Sequence, residues 1–153
     1  MIFLGIDPGM SGGMGILSSN NDMVYLAKAI SFTNQTDKDI SDYIKGIGND
    51  AFCCLELAHA FKGQGISSTF KFGRNFGLLL GCLYTQNIPF ELVSPQKWQK
   101  ALGCLSSGDK NVTKAMAQRL FPQLKINHAV ADSLLLAEYS KRVWCQRNGK
   151  IFR

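Results

Sequence analysis

The chain has 153 residues, of which 46% are hydrophobic, and it carries a formal net charge of +6 at pH 7. This length and composition suit a single packed globular domain spanning residues 1–153 and leave too little chain for two domains. The opening apolar run is too short for a secretory signal, and no stretch reaches the roughly 20 apolar residues of a membrane helix, so the sequence predicts a cytosolic protein without a membrane partner.

The basic charge and the cysteines narrow the range of partners and sites. A pI near 9.2 favours a polyanionic partner, although many basic proteins bind none. The five cysteines include no C-x-x-C pair, and most of them lie inside apolar segments. They therefore indicate buried reduced thiols rather than disulfides or a zinc site.

The first part of the chain is predicted to form strands. Three apolar segments, residues 2–7, 13–18 and 23–31, are separated by Gly-rich or Asn-Asn-Asp turns, which is typical of consecutive antiparallel strands. Apolar residues at helical spacing then predict a helix over 37–47, and the run AFCCLELA predicts a strand over 51–58. The remaining predicted elements are a helix over 69–86, a strand over 90–93, and helices over 95–101, 111–120 and 129–144.

This order of elements predicts an α/β fold. Three meandering strands followed by alternating helices and strands describe a mixed five-stranded sheet with helices on both sides, which is the ribonuclease H-like arrangement. Many α/β folds have a similar order, so the order alone does not identify the function.

Three acidic residues stand in otherwise apolar segments. Asp7 ends the first strand, Glu56 interrupts the fourth, and Asp132 lies in the apolar helix HAVADSLLLAEY. Burying an unpaired carboxylate costs several kcal/mol, so a positively charged partner is expected near Asp7. The first and fourth strands of this topology are commonly adjacent, with a late helix across them, so the three carboxylates are expected to meet at one end of the sheet. Each acid taken alone is equally well explained as a helix cap or as the partner of a lysine.

Carboxylates gathered in this way predict a metal site. They repel one another, and Mg²⁺ or Mn²⁺, which prefer oxygen ligands, would relieve that repulsion. Two such ions about 4 Å apart activate a water on one side of a phosphodiester and stabilise the leaving oxygen on the other. The acids together therefore predict a metal-dependent phosphodiester hydrolase.

Five blocks of the sequence resemble, in the same order, those of the RuvC-type Holliday junction resolvases, especially their phage-like and plastid relatives. The first block alone is a weak match, because sugar-kinase and actin-type ATPases carry a similar turn, but those proteins need two such domains. The blocks run from residue 1 to about residue 140 and are GIDPGMSGG, LELAHAFKGQGISSTFKFGRNFG, VSPQKWQK, DKNVTKAMAQRLFP and HAVADSLLLAEY.

The resemblance implies an activity and its partners. It implies a homodimer that resolves four-way DNA junctions by paired symmetric nicks. It also implies Mg²⁺ or Mn²⁺, two ions per site, as the cofactor, with no small-molecule cofactor. The protein would act in the bacterial cytosol and would be encoded by a bacterium or a phage.

The resemblance places Asp7, Glu56 and Asp132 at the metal-binding acids of the family. A fourth ligand differs, because bacterial members usually have Asp or His three residues before the last acid, where this chain has Ala129. His128, four residues before, lies on the same helix face and is the candidate ligand. The alternative is a capping or surface histidine.

Lys110 aligns with a lysine that the family carries near the scissile phosphate. Its charge would offset the negative charge that grows on the phosphate in the transition state. The alternative is a solvated lysine at a helix start, where the helix dipole makes a cation slightly unfavourable. Lys114, one turn further along, would assist it.

A basic and polar segment after Glu56 is predicted to contact DNA. Backbone amides at a helix N-terminus, together with Lys and Arg, suit phosphate oxygens. Phe61 and Phe70 either insert into an unstacked junction centre or pack in the core, whereas Phe72 and Phe76 are predicted to be core residues. The predicted DNA-contacting residues are Lys62, Gln64, Ser67, Ser68, Lys71, Arg74 and Asn75, together with Lys110 and Lys114.

Paired nicks require two active sites, which implies a two-fold homodimer. Gly73, Gly77 and Gly81 recur every four positions in GRNFGLLLGCLYTQ, and this glycine stripe favours either a dimer contact or close packing on the protein's own sheet. Two rival functions stay open: a related nuclease that acts on other branched DNA or RNA–DNA hybrids, and a non-catalytic junction-binding protein.

Overall fold

A computed structural model of the chain describes residues 1–20, 23–57 and 63–149. These residues form five strands and five helices. In chain order the elements are β1 (Ile2–Asp7), β2 (Gly13–Asn20), β3 (Met23–Ser31), α1 (Asp37–Lys45), β4 (Ala51–Glu56), α2 (Ile66–Thr85), β5 (Phe90–Val93), α3 (Pro95–Leu102), α4 (Lys110–Leu120) and α5 (His128–Arg147).

The five strands form one mixed sheet in the order β3-β2-β1-β4-β5. β1 pairs antiparallel with β2, and β2 with β3, while β1 and β4 are parallel, as are β4 and β5. The predicted mixed five-stranded sheet and the adjacency of the first and fourth strands are both confirmed. Asp7 and Glu56 stand at the carboxyl ends of two neighbouring parallel strands.

Helices cover both faces of the sheet, because side chains alternate along each strand. Phe3 of β1 and Phe52 of β4 join a core cluster with residues of α3, α4 and α5. Leu4 and Cys53 join a second cluster with residues of α1 and α2. Since Asp7 and Glu56 each follow Phe3 and Phe52 by four positions, both acids belong to the α5 face.

Several predicted boundaries are wrong by a few residues. α2 begins at Ile66, three residues earlier than predicted, because Gly65 adopts the extended N-cap conformation. α5 begins at His128 rather than at residue 129, since the Asn127 side chain accepts a hydrogen bond from the backbone N–H of Val130. β4 ends at Glu56 rather than at residue 58. The earlier start of α5 brings His128 onto the helix.

The interior agrees with the composition. All five cysteines are buried thiols, as predicted. No helix in the described part of the chain combines the length and the apolar character needed to cross a membrane.

Candidate active site

The glycine-rich segment after β1 is a tight turn that fixes the Asp7 carboxylate. The backbone N–H of Gly9 donates to Asp7 Oδ1 over 3.0 Å. The N–H of Gly12 donates to the carbonyl of Gly9 over 2.9 Å and closes the turn. A Cβ on Gly12 would lie 2.3 Å from the Asp7 carbonyl oxygen, so only glycine fits there.

Asn75 supports this turn from α2. Its side-chain amide donates to the carbonyl of Pro8 over 2.6 Å, and the residue is only 8% exposed. The prediction that Asn75 contacts DNA does not fit this burial, because its amide is turned inward and engaged. The structure gives it the role of anchoring the Asp7 turn to α2.

Glu56 accepts a hydrogen bond from a tryptophan that sequence reasoning missed. The indole Nε1–H of Trp98 in α3 donates to Glu56 Oε2 over 2.8 Å, and Trp98 is 0% exposed. A buried tryptophan at a helical position is ordinarily a core residue. The only sequence signal for a further role was its place in the block VSPQKWQK.

Asp132 reaches the same end of the sheet because α5 lies directly on two glycines. Gly5 of β1 and Gly15 of β2 are opposite each other in the antiparallel pair. A Cβ on Gly5 would lie 2.1 Å from the backbone nitrogen of Ala137, and one on Gly15 would lie 2.4 Å from the carbonyl oxygen of Ser133. The missing side chains let α5 approach the sheet closely and carry Asp132 towards Asp7.

These elements enclose a cleft of about 460 Å³. All five residues predicted to be catalytic line it, with contributions from the Asp7 turn and from the first turn of α5. The lining residues are Asp7, Gly9, Ser11, Gly12, Glu56, Lys110, His128, Ala129 and Asp132. The predicted meeting of the three acids at one end of the sheet therefore agrees with the structure, while their catalytic roles stay predictions.

Burial raises the pKa of all three carboxyl groups in the cleft. The pKa of Glu56 rises to about 7, because removal from water is reinforced by the nearby Asp7 carboxylate and only partly opposed by the Trp98 hydrogen bond. The charge of Lys110 acts in the opposite direction and lowers the pKa of each acid. Lys110 is thus a positively charged partner of the kind predicted for Asp7.

The acids share the cleft without forming a closed set of metal ligands. Within residues 1–20, 23–57 and 63–149, no three His, Cys, Asp or Glu side chains lie close enough together to hold a metal ion. Oδ1 of Asp132 is buried and has no hydrogen-bond partner among the described residues. An unpartnered buried oxygen in the same cleft as two half-buried carboxylates is the donor chemistry that fits a hard divalent cation.

His128 is the first residue of α5 and is exposed at the edge of the cleft. It lies one turn before Asp132, close enough to oppose part of the rise that burial causes in the Asp132 pKa. The N-cap of α5 is Asn127, so the alternative of a capping histidine does not apply. A surface histidine and a metal ligand both remain compatible with this position.

Lys110 begins α4 after an aspartate cap. The Asp109 side chain accepts a hydrogen bond from the backbone N–H of Asn111 over 2.9 Å. Lys110 itself is exposed on the cleft, while Lys114 one turn later is half-buried.

The predicted DNA-contacting residues are dispersed more widely than the acids. Ser67, Ser68 and Lys71 are exposed in the first turns of α2, and Gln64 is half-buried before it. Arg74 forms an exposed ion pair with Asp37.

Of the aromatic residues in this segment, Phe70 is 70% exposed, whereas Phe76 packs against the α1–α2 core cluster. Phe72 is half-buried. Lys62 and Phe61 lie outside the described residues.

No protein-family model matches the chain. The crossover junction endodeoxyribonuclease RuvC of Bartonella henselae is 26% identical over 144 residues, covering 88% of this chain and 85% of that protein. The structure of RuvC from Thermus thermophilus has a TM-score of 0.66 at 17% identity and covers 98% of both chains. The same protein in complex with a Holliday junction substrate has a TM-score of 0.66 over 97% of both chains. The yeast mitochondrial Holliday junction resolvase Ydc2 has a TM-score of 0.57 at 17% identity, over 95% of this chain and 80% of its own.

The solved structures share the mixed sheet and the helix arrangement, which confirms the predicted ribonuclease H-like fold. The bacterial relative adds a likeness in sequence over most of the chain. The chain therefore resembles the RuvC-type Holliday junction resolvases in both sequence and fold, as its five sequence blocks predict.

Proposed function

We propose that this protein is a divalent-metal-dependent endonuclease that resolves four-way DNA junctions by paired symmetric nicks. The observation that carries the proposal is the single cleft shared by Asp7, Glu56, Asp132 and Lys110, in a chain that resembles RuvC over most of its length. The protein would act in the cytosol of a bacterial cell and would be encoded by a bacterium or a phage.

The metal ligands in this proposal are Asp7, Glu56 and Asp132, with His128 as a fourth. Two Mg²⁺ or Mn²⁺ ions fit the oxygen-rich donor set, and when bound they would supply an activated water and neutralise the leaving oxygen. His128→Ala is expected to raise the Mg²⁺ concentration that gives half-maximal cleavage, while His128→Asp should preserve metal binding. Parent-like cleavage by His128→Ala at every Mg²⁺ concentration would leave the histidine as a surface residue.

The residues of the chain have separate tasks around the phosphate. Lys110 faces the cleft and would offset the negative charge that grows on the scissile phosphate. The Gly9 N–H and the Asn75 anchor hold the Asp7 turn, so that the carboxylate stays in place when DNA binds.

DNA would approach over the N-terminal end of α2. Ser67, Ser68 and Lys71 are exposed there, and backbone amides at a helix start favour phosphate oxygens. Gln64 and Arg74 lie on the same segment and would extend this proposed surface, whereas Lys114 would contact DNA from α4, one turn after Lys110. Lys62, which lies outside the described residues, is proposed as a further DNA contact from its place in the sequence. Phe70 is exposed beside it and marks the boundary between this DNA surface and the outer face of α2.

A homodimer would bring two clefts to one junction, and the outer face of α2 supports it. A Cβ on Gly73, Gly77 or Gly81 would meet nothing within 4 Å, so this glycine stripe does not pack on the protein's own sheet. Phe70 and Tyr84, which stand seven residues before and after Gly77, are 70% and 67% exposed. The stripe therefore has the same order of large and small residues in both directions.

A surface with that symmetry suits an antiparallel contact with a second copy about a two-fold axis at Gly77. Phe70 would then lie against the partner's Tyr84, beside an apolar groove of about 560 Å³ lined by Tyr84, Ile88 and Phe90 among others. In sedimentation experiments Gly77→Leu is expected to shift the protein towards monomer, because a side chain at the axis keeps the backbones apart. Ala115→Leu, at an exposed position of α4, is the matched control. A parent chain that sediments as a monomer at all concentrations would contradict the dimer.

The activity is tested with an end-labelled four-way junction and Mg²⁺, beside a flap, an RNA–DNA hybrid and a plain duplex. We expect paired nicks at symmetric positions in the junction and no cleavage by Asp7→Asn, which should still bind the junction. Faster cleavage of the hybrid or the flap would favour the related nuclease. Tight junction binding without any cleavage would favour the non-catalytic protein.

A further inference from the structure

Two consecutive residues of helix α3 make hydrogen bonds to a residue of the cleft or to the loop that leads to one. The first is Trp98, whose indole N–H donates to Glu56 Oε2 over 2.8 Å. Trp98 belongs to the same core cluster as Ala131 and Leu135, which lie on either side of Asp132 in the α5 sequence. An indole has one donor and no acceptor, so it can engage one carboxylate oxygen and leaves the other for a ligand.

The second residue is Gln99, which holds the loop that leads to Lys110. Its side-chain Oε1 accepts hydrogen bonds from the backbone N–H of Ser106 over 3.1 Å and from the Ser106 hydroxyl over 3.2 Å. Its backbone carbonyl accepts from the N–H of Cys104 over 2.9 Å. Ser106 in turn accepts from the backbone N–H of Asp109 through its carbonyl over 2.9 Å, and Lys110 is the next residue.

We propose that α3 positions the catalytic groups: Trp98 orients the Glu56 carboxylate for metal binding, and Gln99 fixes the loop that presents Lys110 to the phosphate. The inference rests on the proposed function, since it takes Glu56 as a metal ligand and Lys110 as the cation near the phosphate. Trp98 and Gln99 are positioning residues, because each acts through the residue that it holds. The block VSPQKWQK thereby receives a function that its composition does not suggest.

The Trp98 part is tested by metal binding in the absence of DNA. Trp98→Phe keeps an aromatic ring in the core and removes the N–H donor. Loss of a hydrogen bond to a metal ligand typically weakens metal binding 10- to 100-fold, so we expect Mn²⁺ affinity, measured by calorimetry or electron paramagnetic resonance, to fall by about tenfold or more. Trp144→Phe, which changes the tryptophan packed on Phe3, is the matched control and should bind Mn²⁺ like the parent.

A spectroscopic measurement needs no substitution in the core. In the ¹⁵N-labelled parent protein, Mg²⁺ should shift the indole N–H resonance of Trp98 and leave that of Trp144 unchanged. Glu56→Gln should shift the Trp98 resonance on its own. In the Glu56→Gln background, Trp98→Phe should cause no further loss of Mn²⁺ affinity, because both substitutions act on the same interaction.

The Gln99 part is tested by a double-mutant cycle with Lys110. Gln99→Met has a similar length and accepts no comparable hydrogen bond. We expect it to lower the single-turnover cleavage rate by about tenfold with Mn²⁺ affinity unchanged, and to have no effect in the Lys110→Ala background. An equal loss in both backgrounds would show that Gln99 does not act through Lys110.

The outcomes separate this inference from the proposed function. If the parent cleaves junctions while Trp98→Phe and Gln99→Met match it in metal affinity and rate, the positioning role of α3 is overturned and the function stands. If the parent cleaves no junction, the function fails. The Mn²⁺ affinities and the Trp98 resonance then decide the role of Trp98 without any cleavage.

Discussion

The two longest helices of the described chain, α2 and α5, are both 20 residues long and use glycine in opposite ways. α5 lies on glycines of the sheet, where a Cβ on Gly5 would clash with the backbone of Ala137. α2 carries its own glycines on its outer face, where a Cβ on Gly77 would meet nothing within 4 Å. The same residue type allows close packing inside the molecule and leaves a surface open outside it.

This difference in packing suits the two helices to different functions. α5 is buried over most of its length, so the helix that carries Asp132 is held firmly by packing. α2 buries only one face, formed by Asn75, Leu79, Cys82 and Leu83, and exposes the other. Groups that perform chemistry need positions fixed to a fraction of an ångström, whereas surfaces that meet DNA or a second copy need exposure.

The largest effect is expected for the acid on α5. Asp132→Asn should lower the single-turnover cleavage rate by about a thousandfold or more, because it removes a proposed metal ligand, and should leave junction affinity equal or higher. Lys71→Ala on α2 is the contrasting variant, and we expect a few-fold loss of affinity, a smaller salt dependence and a normal rate at saturating DNA. If Asp132→Asn protein cleaved at the parent rate, α5 would carry no catalytic group, and the proposed difference in function between α5 and α2 would be wrong.

Gly5→Ala should cost about 3 kcal/mol or more in the free energy of unfolding. The added Cβ would lie 2.1 Å from a backbone nitrogen of α5, and a backbone cannot rotate aside as a side chain does. Urea denaturation measures the loss. Parent-like stability would mean that α5 does not rest on the sheet as described.

Lys110→Ala should lower the cleavage rate by roughly ten- to a thousandfold with little change in junction affinity, since its charge would act mainly on the transition state. Rates at saturating DNA and affinities over a range of salt concentrations separate the two effects. A fall in affinity and salt dependence at an unchanged rate would make Lys110 a phosphate anchor, like the residues proposed on α2.

The α5 face should also respond to pH in the absence of metal. The pKa of Glu56 is about 7 in the folded protein and about 4.5 in an unfolded chain, so between these values the folded state binds more protons. Stability should therefore fall as the pH rises through this range, by roughly 2 kcal/mol between about pH 5 and about pH 8. Thermal melts in EDTA should show the decline, and Glu56→Gln should flatten it. A parent protein that becomes more stable over this range would contradict the burial of the acids.

The smallest effect is expected on the open face of α2. Gly77→Ala should raise the free energy of unfolding of the monomer by about 0.5 to 1 kcal/mol, because alanine is the better helix former and the site is empty. Denaturation at low protein concentration isolates the monomer. A loss comparable to that of Gly5→Ala would place Gly77 in a packed contact and erase the contrast between the helices.

The sequence was sufficient to predict that the three acids lie together and insufficient to predict the residues that hold them. Asp7 and Glu56 could be predicted because a carboxylate at the end of an apolar strand is conspicuous, and α/β topology brings such ends together. Trp98 could not, because its hydrogen bond to Glu56 depends on how α3 packs behind β4. Asn75 was misassigned for the same reason, since a polar residue near a basic segment gives no sign of pointing inward.

The helix boundaries show a similar limit. The start of α5 depends on the Asn127 cap, a local hydrogen bond that apolar spacing does not reveal. The open side of the glycine stripe depends on which face of α2 packs on the sheet, and glycines at four-residue intervals fit either orientation.

Because α5 packs on Gly5 and Gly15, the cleft is completed only after α5 has been synthesised. Asp7 and Glu56 emerge from the ribosome well before Asp132, and the strands that carry them lack the α5 part of their cover until that helix is synthesised. A nascent chain therefore holds two of the three acids and cannot complete the cleft. Under the proposed function, the ability to cut DNA would begin only when the fold closes.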